Sequence, residues 1–223
     1  MQLKGEIDLP EKARARSRER GEGLVGTLVG TALALVALGA FVAFSRAQLF
    51  AYQAQATQVD LQGAGRAVLE LFVREVRRAG MDPKCAKNFE AIAEARPDRI
   101  RIQADLDGNG AIDGPEEDVT YFYDFDEKAV VRATKNASDI LLEDVDVTGS
   151  VIRYYDGAGQ ELLPSGTPPE LDPAQRTQVR RVALFLTLER PNPAPTSDLP
   201  LRVRLSSTVD LRNRFFLMST VCS

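Results

Sequence analysis

The chain has 223 residues, 28 basic against 32 acidic, a formal net charge of −4 and no histidine. The absence of histidine excludes His-dependent catalytic triads and histidine metal sites within the chain, and the acidic balance argues against nucleic acid as a partner. The two cysteines, Cys85 and Cys222, stand too far apart for a zinc motif.

Residues 1–21 carry six Lys or Arg and four Asp or Glu. They lack an apolar face, so residues 1–20 are expected to be disordered. Leu24–Phe44 follows, 21 residues without a charge. A helix of that length spans roughly 30 Å, about one hydrocarbon core. No small-residue cleavage motif closes the stretch, as one would close a secretory signal. It runs on into a polar helical pattern and is read as the apolar half of one long helix. The basic excess ahead of it predicts a cytoplasmic N-terminus and an exported C-terminal part. Gly26, Gly30 and Gly39 lie inside it, and the Gly26-x-x-x-Gly30 spacing suits close helix–helix approach in a membrane.

After Arg46 the pattern turns amphipathic. Leu61, Ala64, Val68, Leu71, Phe72, Val76 and Ala79 recur at spacings of three and four. Arg66, Glu70, Arg74 and Arg77 fall on other faces, and Arg74, Arg77 and Arg78 read as a solvated face or a contact with neighbouring subunits. Gly63 and Gly65 are candidate flex points. Gly80, Asp82 and Pro83 end the helix, which makes it about 55 residues, on the order of 80 Å.

Beyond Gly80 the period changes to two. Strands are expected at Arg99–Ile102, Val119–Tyr123, Ala129–Ala133, Ile140–Val147, Val151–Tyr155 and Val179–Leu188. A last one runs through Leu201, Val203, Leu205, Val209 and Leu211, whose shared parity marks one buried face. Tyr121, Tyr123 and Phe125 read as a core stripe. One long helix followed by about seven strands predicts an α+β fold, the helix lying on an antiparallel sheet. The proline-rich segments Leu163–Gln178 and Arg190–Pro200 are expected on the surface without regular structure.

Exported cysteines can oxidise, so Cys85 and Cys222 are read as a disulfide, two unrelated buried thiols being the alternative. Closing so long a loop would contribute about 4–5 kcal/mol in the chain-entropy view. Asp105–Glu116 fits a calcium loop position by position. Asp105, Asp107, Asn109 and Asp113 fall at its first, third, fifth and ninth positions, the Ala111 carbonyl at the seventh, Gly110 at the bend and Glu116 at the twelfth. Calcium takes six to eight oxygens, and this spacing delivers them around a tight turn. The flanks read as strands, so the unit would be a calcium hairpin. The alternative is a solvated acidic turn. Pro115 is atypical, and Glu117 is an alternative to Glu116. No enzyme constellation is visible: no histidine base and no Gly-x-Ser-x-Gly.

A basic leader ending in Gly21, then Glu22, Gly23, Leu24, Val25 and Gly26 opening an uninterrupted apolar helix, then an amphipathic half and a β domain: this order resembles a type IV pilin or a type II secretion pseudopilin. Leu24 and Val25 match the family junction. Glu22 stands where the family has an aromatic residue and Gly26 where it has glutamate. Within the family the chain is most similar to PilW-like minor pilins, at Gly65–Ala67 and Arg74–Gly80, at the acidic segment Ala104–Gly110 leading to Glu117–Tyr121, and at Val209–Asn213. The resemblance implies a prepilin leader at 1–21, cleaved between Gly21 and Glu22 by a prepilin peptidase. It implies a helix over 22–80 with its membrane span at 24–44, and a periplasmic, later extracellular, domain over 81–223.

The implied role is a minor pilin that waits in the inner membrane and then packs by its N-terminal helix against other minor pilins and the major pilin. It would help initiate assembly near the tip, where a large tip adhesin is a further partner. The alternatives are a minor pseudopilin and a single-pass protein with a periplasmic ligand-sensing domain. The second predicts an intact leader.

Overall fold

The computed structural model describes residues 12–86, 88–194 and 199–213, with side chains from Gly23 onward. Helix α1 spans Lys12–Val76, 65 residues. It thus begins inside the stretch expected to be disordered. Lys12–Arg20 is almost wholly Lys, Ala, Arg and Glu, all strong helix formers, and a helix nucleated downstream extends through such residues at little cost. At the other end α1 stops at Val76, four residues short of Gly80. The chain there tightens into three-residue turns, Arg78 N–H to Glu75 C=O and Ala79 N–H to Val76 C=O. Gly80 then takes φ 74°, a left-handed conformation that glycine adopts without penalty.

The chain divides into two compact units, Met1–Gln53 and Ala54–Ser223. In the first, every residue of Leu24–Phe44 is exposed. Among the described residues α1 is the one helix long and apolar enough to cross a membrane. The hydroxyls of Thr27 and Thr31 bond back to the carbonyls of Leu24 and Leu28, both at 2.9 Å. Such back-bonding is the means by which a helix meets lipid without an unpaired hydroxyl.

The second unit is α+β, with the end of α1 packed on antiparallel strands. Two sheets are present among the described residues where one was expected. The first is a meander of β1 (Ile92–Ala95), β2 (Arg99–Gln103), β3 (Asp118–Asp124), β4 (Ala129–Thr134) and β5 (Ser138–Leu142), paired in that order. The second joins β6 (Val151–Tyr155), β7 (Glu161–Leu162), β8 (Arg181–Arg190) and β9 (Leu201–Asp210) in the order β7-β6-β8-β9. The change of sheet happens inside the expected strand Ile140–Val147. Its regular part stops at Leu142, Asp144 takes φ 61°, and Val145 bridges to Leu188 of the second sheet.

The segment Leu163–Gln178 is not wholly irregular. It holds a short helix α2 (Pro173–Gln178) opened by a capping box, in which the Asp172 carboxylate accepts from the Gln175 amide and the Gln175 side chain accepts from the Asp172 amide. In the other proline-rich segment, residues 195–198 lie outside the described residues.

The face of α1 that packs inward carries Leu61, Gly65, Val68, Leu69, Phe72 and Val76, while Ala64 is exposed. Gly65 is a contact point rather than a flex point. A Cβ there would lie 2.4 Å from Leu205 Cδ1 and 3.0 Å from Leu188 Cδ1, so β8 and β9 approach the helix where a side chain is missing. About two turns later Phe72 meets Tyr121 of β3 edge-on, ring centroids 5.3 Å apart. The helix therefore packs on both sheets. On β3 the inward residues are Val119, Tyr121 and Tyr123. Phe125 lies past the strand end and is exposed, so the expected aromatic stripe stops one residue pair short.

Candidate functional site

The acidic segment connects β2 to β3, adjacent antiparallel strands, and Ala104 N–H to Glu117 C=O closes its base at 2.9 Å. Asp105 is wholly buried. Its Oδ1 accepts from the amides of Gly108 and Asn109 at 2.7 and 3.1 Å, and its Oδ2 from Gly110 at 2.9 Å. Gly108 and Gly110 hold φ 73° and 85°, which brings successive amides to one carboxylate. Asp107 accepts from the Asn109 amide and from Asn109 Nδ2. Asn109 Nδ2 also donates to Asp113, so Asn109 turns its nitrogen to the acids and its oxygen to the Ala111 amide.

Glu116 leaves this group. Its carboxylate pairs with Arg132 of β4. Glu117 takes the inner place. Its Oε1 accepts from the amides of Leu106 and Asp107 at 2.9 and 3.3 Å, and its Oε2 from Asp113 and Gly114 at 3.0 and 2.7 Å. Carboxylate oxygens of Asp105, Asp107 and Glu117 lie within 4.8 Å of one another. The reason is register. Glu117 directly precedes β3 and faces inward with Val119 and Tyr121, while Glu116 faces the neighbouring strand. Burial pushes the Glu117 carboxyl up, but the amides of Gly114, Leu106, Asp107 and Asp113 together outweigh it and hold the group below its ordinary value.

These residues fit a hard cation in part. A carboxylate has about four lone-pair positions. Asp105 has used three and Asp107 two, whereas Glu117 has used all four on amides. A bound ion would be held by Asp105 and Asp107 as they stand, and by Glu117 only after it releases some of its amides. Met81, Lys84 and Asn88 brace the loop as well. Lys84 Nζ donates to Asn109 C=O at 3.1 Å, Asn88 Nδ2 to Gly110 C=O at 2.8 Å, and Asp105 N–H to Met81 C=O at 2.8 Å. Cys85, in that brace, is disulfide-bonded. Its expected partner Cys222 lies outside the described residues; of the expected cleavage pair Gly21 and Glu22, the structure describes only the backbone, within α1.

A second polar centre adjoins the loop. Glu75, in the last turn of α1, is buried. It accepts from Tyr121 Oη at 2.6 Å and from Arg132 Nη2 and Nε at 2.9 and 3.1 Å. Arg132 then reaches Glu116, which links helix, sheet and loop through one guanidinium. Burial, with the bond to Glu75, raises the Tyr121 hydroxyl far above its ordinary value and keeps it protonated as a donor. Neither Glu75 nor Arg132 stands out in the sequence as a functional residue. A signal for Glu75 was present: it lies three residues after Phe72, on the buried stripe.

Comparison with protein-family models, with curated proteins and with solved structures finds no match.

Proposed function

We propose that the chain is a structural subunit of a type IV pilus, a minor pilin of the PilW-like kind, anchored in the inner membrane before assembly. The observation that carries this reading is α1. One helix is apolar and exposed over Leu24–Phe44, then supplies the core of a β unit from Leu61 to Val76. A helix so divided suits a subunit held in lipid by one half and built into its own domain by the other. On extraction the apolar half exchanges lipid for equivalent helices of neighbouring subunits, burying a similar area and so costing little. The open glycines Gly26 and Gly30 suit that packing.

The N-terminal sequence of the mature protein tests the reading. A terminus at Glu22 in cells with active prepilin peptidase is expected, and an intact Met1 terminus would overturn it. Gly26 supplies no carboxylate where the family has one to pair with a neighbour's amine, and a terminal place tolerates that gap better than an internal one. Labelling on sheared filaments should therefore mark ends, not shafts.

The loop Asp105–Glu117 belongs to this proposal as a calcium site. Calorimetry with calcium chloride, and the melting temperature with and without chelator, test it, since an ion bound only by the folded state raises stability. The Asp105→Ala variant alone does not discriminate. Asp105 holds three amides whether or not an ion is bound. An unchanged melting temperature on chelation, with no heat of binding, would leave the loop a turn secured by its own amides.

A further inference from the structure

Strand β9 closes the second sheet. It pairs with β8 along all of Leu201–Asp210, and no strand covers its other edge among the described residues. A cavity of about 470 Å³ lies between that strand and α1. Ser206 and Ser207 both line it. Successive strand residues point to opposite faces, so a cavity that reaches two neighbours takes in main chain as well as side chain, here on the outer strand of the sheet. Leu69 and Val73 give it an apolar floor.

The rim is basic. Arg66, Arg74 and Arg77 line the cavity from the exposed side of α1, with Glu70 the single acid among them. None of the three guanidiniums is ion-paired among the described residues, whereas Arg78, Arg96, Arg101, Arg132, Arg181 and Arg202 all are. Among the described residues, an acidic protein thus keeps a run of unpaired arginines beside an uncovered strand edge.

We propose that this groove takes an extended acidic segment of a partner protein, which adds to β9 as a further strand and sets its carboxylates against Arg66 and Arg74. The spacings agree. Eight helical residues separate those arginines by about 12 Å along the axis. Carboxylates four residues apart on a strand share one face and stand about 13 Å apart. Main-chain bonds to β9 supply affinity, and the arginines supply the preference for acid. The inference stands apart from the pilin reading, since it needs only the second compact unit.

The test uses the full chain in non-ionic detergent and a labelled peptide of alternating Glu and Thr, followed by fluorescence anisotropy. Controls are the same composition with the glutamates in one block, Lys in place of Glu, and the alternating peptide N-methylated along one edge. The alternating acidic peptide should bind. Arg66→Glu with Arg74→Glu should weaken it about tenfold, while Arg153→Glu, on β6, leaves it unchanged. N-methylation should abolish binding without any change to the protein. Equal binding of the block peptide would reduce the site to non-specific charge attraction and overturn strand addition. So would binding that survives N-methylation, binding indifferent to the arginine reversals, or no binding of the alternating peptide.

Discussion

Two stretches of α1, both rich in apolar residues, have opposite surroundings. Leu24–Phe44 is more apolar than Leu61–Val76, yet it is exposed throughout, while Leu61, Phe72 and Val76 are almost wholly buried. The glycines show the contrast most sharply. A Cβ at Gly26, Gly30 or Gly39 meets nothing within 4 Å, whereas one at Gly65 strikes Leu205 and Leu188. Apolar content therefore does not say whether a helix end is core. The arrangement of apolar positions does. A stripe with charges on the other faces requires a protein partner on one side, and a stretch apolar all round requires an apolar medium on every side.

The largest expected effect separates the two ends by charge. Glu75→Ala leaves Arg132 buried without its main partner and should cost about 3–5 kcal/mol in denaturant unfolding of the second unit. An effect below about 1 kcal/mol would show that Glu116 alone satisfies Arg132. Phe72→Ala should cost about 3–5 kcal/mol by leaving a cavity against Tyr121. Phe41→Ala, at a side chain that is 66% exposed, should leave the same unfolding midpoint in place.

The glycines sharpen the comparison at smaller scale. Gly65→Ala should destabilise by about 1–3 kcal/mol as Leu205 and Leu188 are displaced, offset in part by about 1 kcal/mol of helix propensity. Gly30→Ala meets open space and gains the propensity alone. Equal effects at the two positions, measured by thermal melts in the same detergent, would break the contrast.

Acid acts on one end only, because Leu24–Phe44 has no titratable group. Glu117 is held below its ordinary value of 4.5 in the folded state. Its contribution is therefore complete above pH 4.5 and is lost as pH falls through the lower folded value. The unfolding midpoint should drop on acidification below 4.5, and Glu117→Gln should flatten that part of the profile. A profile identical in the variant would mean that the four amides do not favour the ionised form.

Much of the architecture could be read from residue order. The span Leu24–Phe44, the amphipathic stripe through Phe72, and strands β2, β3, β4, β6 and β9 follow from periods of 3.6 and two, because backbone geometry alone imposes those repeats. The acidic hairpin between β2 and β3 was legible for the same reason. The capping box at Asp172 and Gln175 is also written in the sequence, within a run of prolines that otherwise signals a loop.

Other features depend on elements brought together from far along the chain, and local pattern cannot state them. The division into two sheets turns on the bend at Asp144 and the bridge from Val145 to Leu188. The role of Gly65 is defined by Leu188 and Leu205, more than a hundred residues away. The exchange of Glu116 for Glu117 was decided by which carboxylate faces the amides once β3 is in register, and which faces Arg132 of β4. Residue types and spacing determined that this chain has an apolar helical span, an amphipathic continuation and a strand-rich remainder with an acidic turn. Only the tertiary structure decided which polar groups are buried and with whom, because a buried charge is tolerable only where the fold delivers its partners, and those partners come from other strands.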